Sequence, residues 1–226
     1  MIGSNAHSEG ANPLAELPAT TSLPIPESND LGRYLEDTIT IDWQTPSVSD
    51  LARRLLAEEE SPAAGVERIF RFVRDEIAHT FDLDPKSLVR GIACRASEVL
   101  ALGHGLCHAK SHLLAALLRF AGHPTGFCYV RLVDDERPGR FVLHGFNAFY
   151  WAPTGSWIPV DVRGNRGEIA SECRFEAPFR LAYVPDAGRG EALLPMIFKR
   201  PGKRVIDALE RAPSIEVLRR TLPDGP

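Results

Sequence analysis

The stretch over residues 101–122 constrains this chain most, because a glycine-rich turn, Gly103-His-Gly105, runs into an apolar helix with a cysteine at the junction. Leu113, Leu114, Ala116, Leu117 and Phe120 recur at helical spacing, and Gly122-His-Pro124 supplies the stop. Glycine accepts the left-handed backbone that closes a helix, and proline cannot continue one. A helix apolar over so broad a face belongs in the core. Its cysteine, Cys107, stands where unpaired backbone N–H groups and the helix dipole favour negative charge and lower a thiol pKa. The thiolate is the reactive form, so Cys107 is the candidate nucleophile.

Around this helix the pattern divides in two. Upstream, alternation over residues 34–41 predicts a short strand, and Ser47, with Asp50 three residues on, predicts an N-cap for a helix through Leu51, Leu55 and Leu56 to about residue 60. Ser61-Pro62 opens another helix whose inward stripe is Val66, Ile69, Phe70, Val73 and Ile77, and residues 97–102 read as a short helix ended by Gly103. Asp82 and Asp84, ahead of Pro85, read as loop caps. Downstream, residues 125–133, 141–151 and 156–162 read as strands, the last two joined by a hairpin. Residues 178–183 read as an extended or short helical piece, 189–200 carry no dominant period, and 203–211 and 214–220 read as helices parted by Pro213. Helices first and an antiparallel sheet second make the expected class α+β. Residues 1–30 read as a disordered or extended tail, with docking through Leu23 and Ile25 as the alternative. Residues 31–226 form one expected domain, with its core at about 47–165 and a C-terminal extension at about 166–226.

Composition removes several functions. A formal charge of −4 over 226 residues argues against nucleic acid, whose phosphates demand a concentrated basic surface. No apolar run approaches the ~20 residues of a membrane span, and the first residues lack a basic segment followed by an apolar one, so the expected location is cytoplasmic, with no membrane partner. The four cysteines are widely spaced and read as reduced thiols, with Cys94, Cys128 and Cys173 structural and buried.

A nucleophilic thiolate needs a base, and then an acid for the leaving group, which imidazole supplies near neutrality. His144 lies in the strand-like run 141–151, far enough along the chain to return across the start of the Cys107 helix. Asp161, after Trp157-Ile-Pro-Val, can accept from the other ring nitrogen across the hairpin and fix the tautomer. The backbone N–H of Cys107 is one expected oxyanion donor. The regular offset of His104, His108 and His112 suits zinc ligation, but the HExxH glutamate is absent, since Ala109 fills its place, and no third ligand stands out; the expectation is no metal and no cofactor.

The combination of Ser97-Glu-Val-Leu, Gly105-Leu-Cys107, Leu117-Leu-Arg119-Phe-Ala-Gly122-His-Pro124, His144 before aromatic residues, and Trp157-Ile-Pro-Val-Asp161 resembles the transglutaminase-like superfamily. The resemblance covers roughly residues 66–161. It implies a papain-like α+β core with Cys107 as nucleophile on a helix packed against an antiparallel sheet, and His144 as base and Asp161 as its orienter on adjacent strands. Chemistry runs through an acyl-enzyme, from an amide or thioester donor in a peptide, protein or small molecule to an amine or water. The resemblance also places a second oxyanion donor upstream of the cysteine, over residues 79–95. Family members usually carry a small or aromatic residue directly after the cysteine, where this chain has His108. The alternative is a catalytically silent binding or scaffold module on the same fold, which an occluded sulfur would favour.

Overall fold

In the computed structural model, which describes residues 16–18, 21–84 and 91–226, the chain enters as an extended arm. Leu17 is buried and bridges Phe179, while β1 (Ile25–Pro26) pairs in parallel with Met196–Ile197. The anchors differ from those expected: Leu23 and Ile25 expose their side chains, and Ile25 is held by its backbone, donating to Pro195 O. Residues 1–15 and 19–20 of the expected tail lie outside the described residues.

The strand expected over 34–41 does not form. A 3₁₀ turn, Leu31–Tyr34, is capped by Asp30, and the backbone donors that follow are taken by local side chains: Thr38 Oγ1 accepts from Ile41 N and Asp37 Oδ1 from Gln44 N. Thr40 and Ile41, adjacent in sequence, are both buried, which a two-faced strand forbids. α1 (Pro46–Leu56) begins two residues earlier than expected, with Thr45 and not Ser47 at the N-cap position, and stops earlier. Pro46 occupies the first turn, where a missing N–H is no loss, so Ser47 lies inside the helix and not at its cap. In α2 (Pro62–Arg71) the Ser61 hydroxyl does cap, accepting from Ala64 N at 3.2 Å, and the whole apolar stripe from Val66 to Ile77 is buried. The helix runs on into a π-helical turn, Phe72–Glu76.

Next comes β2 (Ala78–His79), then α3 (Ala96–Leu102), which ends at Gly103 in the left-handed region (φ 70°). β3 (His104–Gly105) pairs in parallel with β2 and sets His79 opposite Gly105, just ahead of Cys107. α4 (Cys107–Phe120) is buried from its first residue to Arg119, as a helix with a broad apolar face requires. β4 (Thr125–Val133), β5 (Phe141–Trp151) and β6 (Ser156–Val160) form an antiparallel meander extended by β7 (Ala192–Leu193), in the order β6-β5-β4-β7. β6 is an edge strand, which is why it tolerates Pro159, and it ends at Val160, so Asp161 lies just past it. β8 (Met196–Ile197), α5 (Lys203–Arg211) and α6 (Ile215–Thr221) complete the described elements, and the Ser214 hydroxyl caps α6. Residues 178–183 carry no helix, and Phe179 bridges the arm. The architecture is α+β, with α4 laid against β5: Ser111 Oγ donates to Gly145 O at 3.3 Å.

One polar residue pins these layers together. Lys110, on the buried side of α4 and 0% exposed, donates to the carbonyls of Arg74, Ile77 and Arg163, at 3.2, 2.5 and 3.3 Å. Burial pulls its pKa down to about 7, yet the three N–H bonds of an ammonium match the three carbonyls that surround it. The pin joins the π-helical turn leading to His79 with the segment that follows Asp161. Lys110→Met keeps the volume and withdraws all three donors, so it should cost about 2 kcal/mol or more in urea unfolding. A variant as stable as the parent would show that the pin contributes nothing.

Candidate active site

Two elements and one loop bring the expected residues to one place. Cys107 opens α4; His144 sits in β5 opposite Val130 of β4; Asp161 follows β6. His144 Nε2 donates to Asp161 Oδ2 at 2.7 Å, and the carboxylate also accepts from Arg163 N and Ala182 N, each at 3.0 Å. That leaves Nδ1 of His144 as the nitrogen available to the sulfur. Asp161 is 1% exposed and His144 5%, so their hydrogen bond is shielded from water.

Charge at the pair follows from these neighbours. Burial works against a charged His144, but Asp161 and Cys107 outweigh it and raise the imidazole pKa well above its ordinary value. Burial likewise opposes a charged Cys107, and the imidazoles of His108 and His144 outweigh it, holding the thiol well below the usual range. The resting form this favours is a thiolate–imidazolium pair. Nothing comparable acts on the other thiols: burial pushes Cys94 and Cys173 up to about 12, and Cys128 up as well.

Cys107 is 9% exposed and opens on a cleft of about 230 Å³ that His79, His108, His144, Arg163 and Tyr183 also line. Tyr183 sets its ring edge against His144 with centroids 4.8 Å apart, and Arg163 Nε donates to the Tyr183 hydroxyl at 3.4 Å. The Arg163 guanidinium forks onto both Asp82 oxygens, and Arg166 adds a further bond. Asp82, expected as a loop cap, is therefore an ion-pair partner: burial raises its pKa, but the arginines pull it well below the carboxylate range. Residues 85–90 lie outside the described residues.

His79 also reaches the cleft. Burial lowers its pKa to about 4, so it is neutral. Its Nδ1 has no hydrogen-bond partner, since Asp82 Oδ1 at 4.0 Å is too distant. His79 lies within the region where an upstream oxyanion donor is expected. Its signal is topological: the parallel β2–β3 pairing carries it to the start of the Cys107 helix. The histidines of the zinc-like spacing have different partners. His104 Nδ1 lies 3.2 Å from Thr80 Oγ1, His112 Nδ1 donates to Cys94 O at 2.6 Å, and His108 Nδ1 lies 3.5 Å from Cys107 Sγ. Among the described residues no cluster of three His, Cys, Asp or Glu side chains could hold a metal ion.

The C-terminal extension supplies a wall that no local pattern announces. Arg137 donates to the carbonyls of Arg219 and Arg220 at the end of α6, and Leu143 N donates to Pro223 O. Arg219 then reaches across the cleft, its guanidinium 4.2 Å from the Phe81 ring centroid. The wall narrows the cleft that Cys107 lines. No helix among the described residues is long and apolar enough to cross a membrane.

The sequence pattern of the transglutaminase-like superfamily matches residues 49–162, which hold all three of Cys107, His144 and Asp161. Among curated proteins nothing matches. Similar solved structures include a candidate cysteine protease from Cytophaga hutchinsonii, 17% identical, with a TM-score of 0.46, over 63% of this chain and 46% of that one. The periplasmic domain of TgpA from Pseudomonas aeruginosa is 19% identical, with a TM-score of 0.42, over 58% of this chain and 46% of that one. The chain thus spans about half the length of these relatives.

The electrostatics give a direct expectation for labelling. At about pH 6, below the ordinary thiol range, iodoacetamide should modify Cys107 and leave Cys94, Cys128 and Cys173 untouched, as peptide mass spectrometry would report. His144→Ala should move the onset of Cys107 labelling to higher pH. Uniform labelling of the four thiols would contradict an activated Cys107.

Proposed function

The chain belongs to the transglutaminase-like superfamily, and on that premise we propose that it is a thiol enzyme that opens an amide or thioester through a Cys107 acyl-enzyme and passes the acyl group to an amine or to water. The observation that carries this reading is the 2.7 Å hydrogen bond from buried His144 to buried Asp161, with His144 electrostatically coupled to Cys107 at the mouth of a cleft. In this reading the Cys107 thiolate adds to the donor carbonyl, forming a C–S bond and a tetrahedral oxyanion. Collapse of that oxyanion breaks the C–N or C–S bond, and the leaving amine or thiol takes the proton of the His144 imidazolium. Neutral His144 then removes a proton from the incoming amine or water, which attacks the thioester and releases the thiolate. The cycle returns to the thiolate–imidazolium pair, and no cofactor enters it.

Two groups suit the oxyanion. The N–H of Cys107 lies at the start of α4, and the neutral ring of His79 faces the same cleft. A neutral imidazole can donate there without competing for the proton that His144 must move. Asp161 orients His144 and stabilises its charged form. The substrate class is an acyl donor on a peptide, a protein or a small molecule, narrow enough to enter between Phe81 and the loop after β4. The silent-scaffold alternative expects an occluded sulfur; Cys107 is 9% exposed and lines the cleft.

The test is turnover of an amide and thioester panel with and without an added primary amine, read together with the intact mass of the protein. A donor that turns over should leave an acyl increment on Cys107, and Cys107→Ala should lose both. His79→Phe should lower kcat by about 10²–10³ with little change in KM, the signature of a lost oxyanion donor. Turnover that survives in Cys107→Ala would overturn the reading.

A further inference from the structure

The residue after the nucleophile touches it. His108 Nδ1 lies 3.5 Å from Cys107 Sγ, within the range of an N–H···S bond, and the ring is buried against the sheet. Its far nitrogen, Nε2, is buried without a partner. The surroundings fix the ring in that pose. A Cβ at Gly145 would meet His108 Cδ2 at 2.8 Å, so β5 carries glycine where the imidazole lies. On the other side Tyr129 of β4 packs at 6.2 Å between centroids, its own hydroxyl already accepting from Gly202 N. The titratable groups that share this space are His79 from β2, His144 from β5, Tyr129 from β4, and His112 one turn along α4.

An unpaired buried N–H is costlier than an unpaired buried lone pair, because the donor has no second way to be satisfied. The partnerless Nε2 is therefore the bare nitrogen, and the ring proton sits on Nδ1, facing the sulfur. A doubly protonated ring would leave a second N–H stranded at Nε2, so the same orphan argues for a single ring proton. Resting on the assignment of Cys107 as the nucleophile, we propose that His108 is a second catalytic imidazole, a neutral ring that donates Nδ1–H to the Cys107 thiolate while His144 alone holds the transferable proton. The division of labour is chemical. A neutral imidazole gives up its N–H proton only to a very strong base, so His108 stabilises the anion without quenching it. His144 can then deliver its proton to the leaving group, and in the second half-reaction the His108 N–H stabilises the thiolate as it departs from the thioester.

The test is the pH profile of Cys107 alkylation in the parent chain and in His108→Leu, His108→Asn and Gly145→Ala. His108→Leu removes the donor, and the onset of labelling should rise by ~1 pH unit, a tenfold loss of reactivity on the acid side. His108→Asn places an amide N–H near the lost Nδ1 and should recover most of the shift, while Gly145→Ala, which drives the ring away, should behave as His108→Leu does. A profile unchanged by His108→Leu, or an asparagine no better than leucine, would overturn the proposal. If the variants do not fold, long-range ¹H–¹⁵N spectra of the labelled parent chain decide it: Nδ1–H on His108 supports the proposal, and Nε2–H or an imidazolium overturns it. Failure of the underlying nucleophile assignment looks different, because Cys107 would then label no faster than Cys94 in the parent chain.

Discussion

A single buried carboxylate organises the cleft. Asp161 accepts from His144, from the N–H of Ala182 and from the N–H of Arg163 in its own turn, so two separate stretches of chain converge on it. A buried anion is tolerated only when its oxygens are satisfied, and here the satisfying groups are the parts that must be aligned. Arg163 extends the arrangement outward to Asp82 and Tyr183, and its carbonyl is one of three held by Lys110 beneath. The carboxylate thus links the sheet, the Cys107 helix and the loop after β2.

Environment, more than residue type, separates the histidines. His79 and His112 are buried and burial drives both to about 4, so they serve as neutral groups. His144 is equally buried and moves the other way, because an anion lies on each side of it. The four thiols divide by the same rule: three are raised by burial, and Cys107 is lowered by the imidazoles of His108 and His144. One fold therefore holds a neutral imidazole, His79, and a charged one, His144, on a single small cleft.

Much of the core is legible in the sequence, because helical spacing, glycine stops and period-two strands are local signals. The helix from Cys107 to Phe120, the stripe from Val66 to Ile77 and the three long strands all follow from such spacing. The ordered set of Cys107, His144 and Asp161 is also visible, though not the Arg163 and Ala182 donors that complete the carboxylate's partners. Local reading fails where distant groups compete. Residues 34–41 alternate like a strand, yet side-chain hydrogen bonds hold them as a loop. Ser47 looks like a cap, yet Pro46 has already begun the helix. Asp82 looks like a loop residue until Arg163, 81 positions away, arrives to pair with it. The N-terminal arm and the Arg219 wall are tertiary features with no period to betray them.

The central claim is that Asp161 keeps His144 protonated and thereby Cys107 ionised. Ultraviolet thiolate absorbance, followed against pH for the parent chain and for Asp161→Asn, each corrected by its Cys107→Ser counterpart, tests it most directly. The account predicts a thiolate signal in the parent chain at about pH 6, well under the ordinary thiol range, and its displacement to higher pH in Asp161→Asn. A parent signal that first appears at about pH 8 to 9, or two curves that coincide, would contradict it.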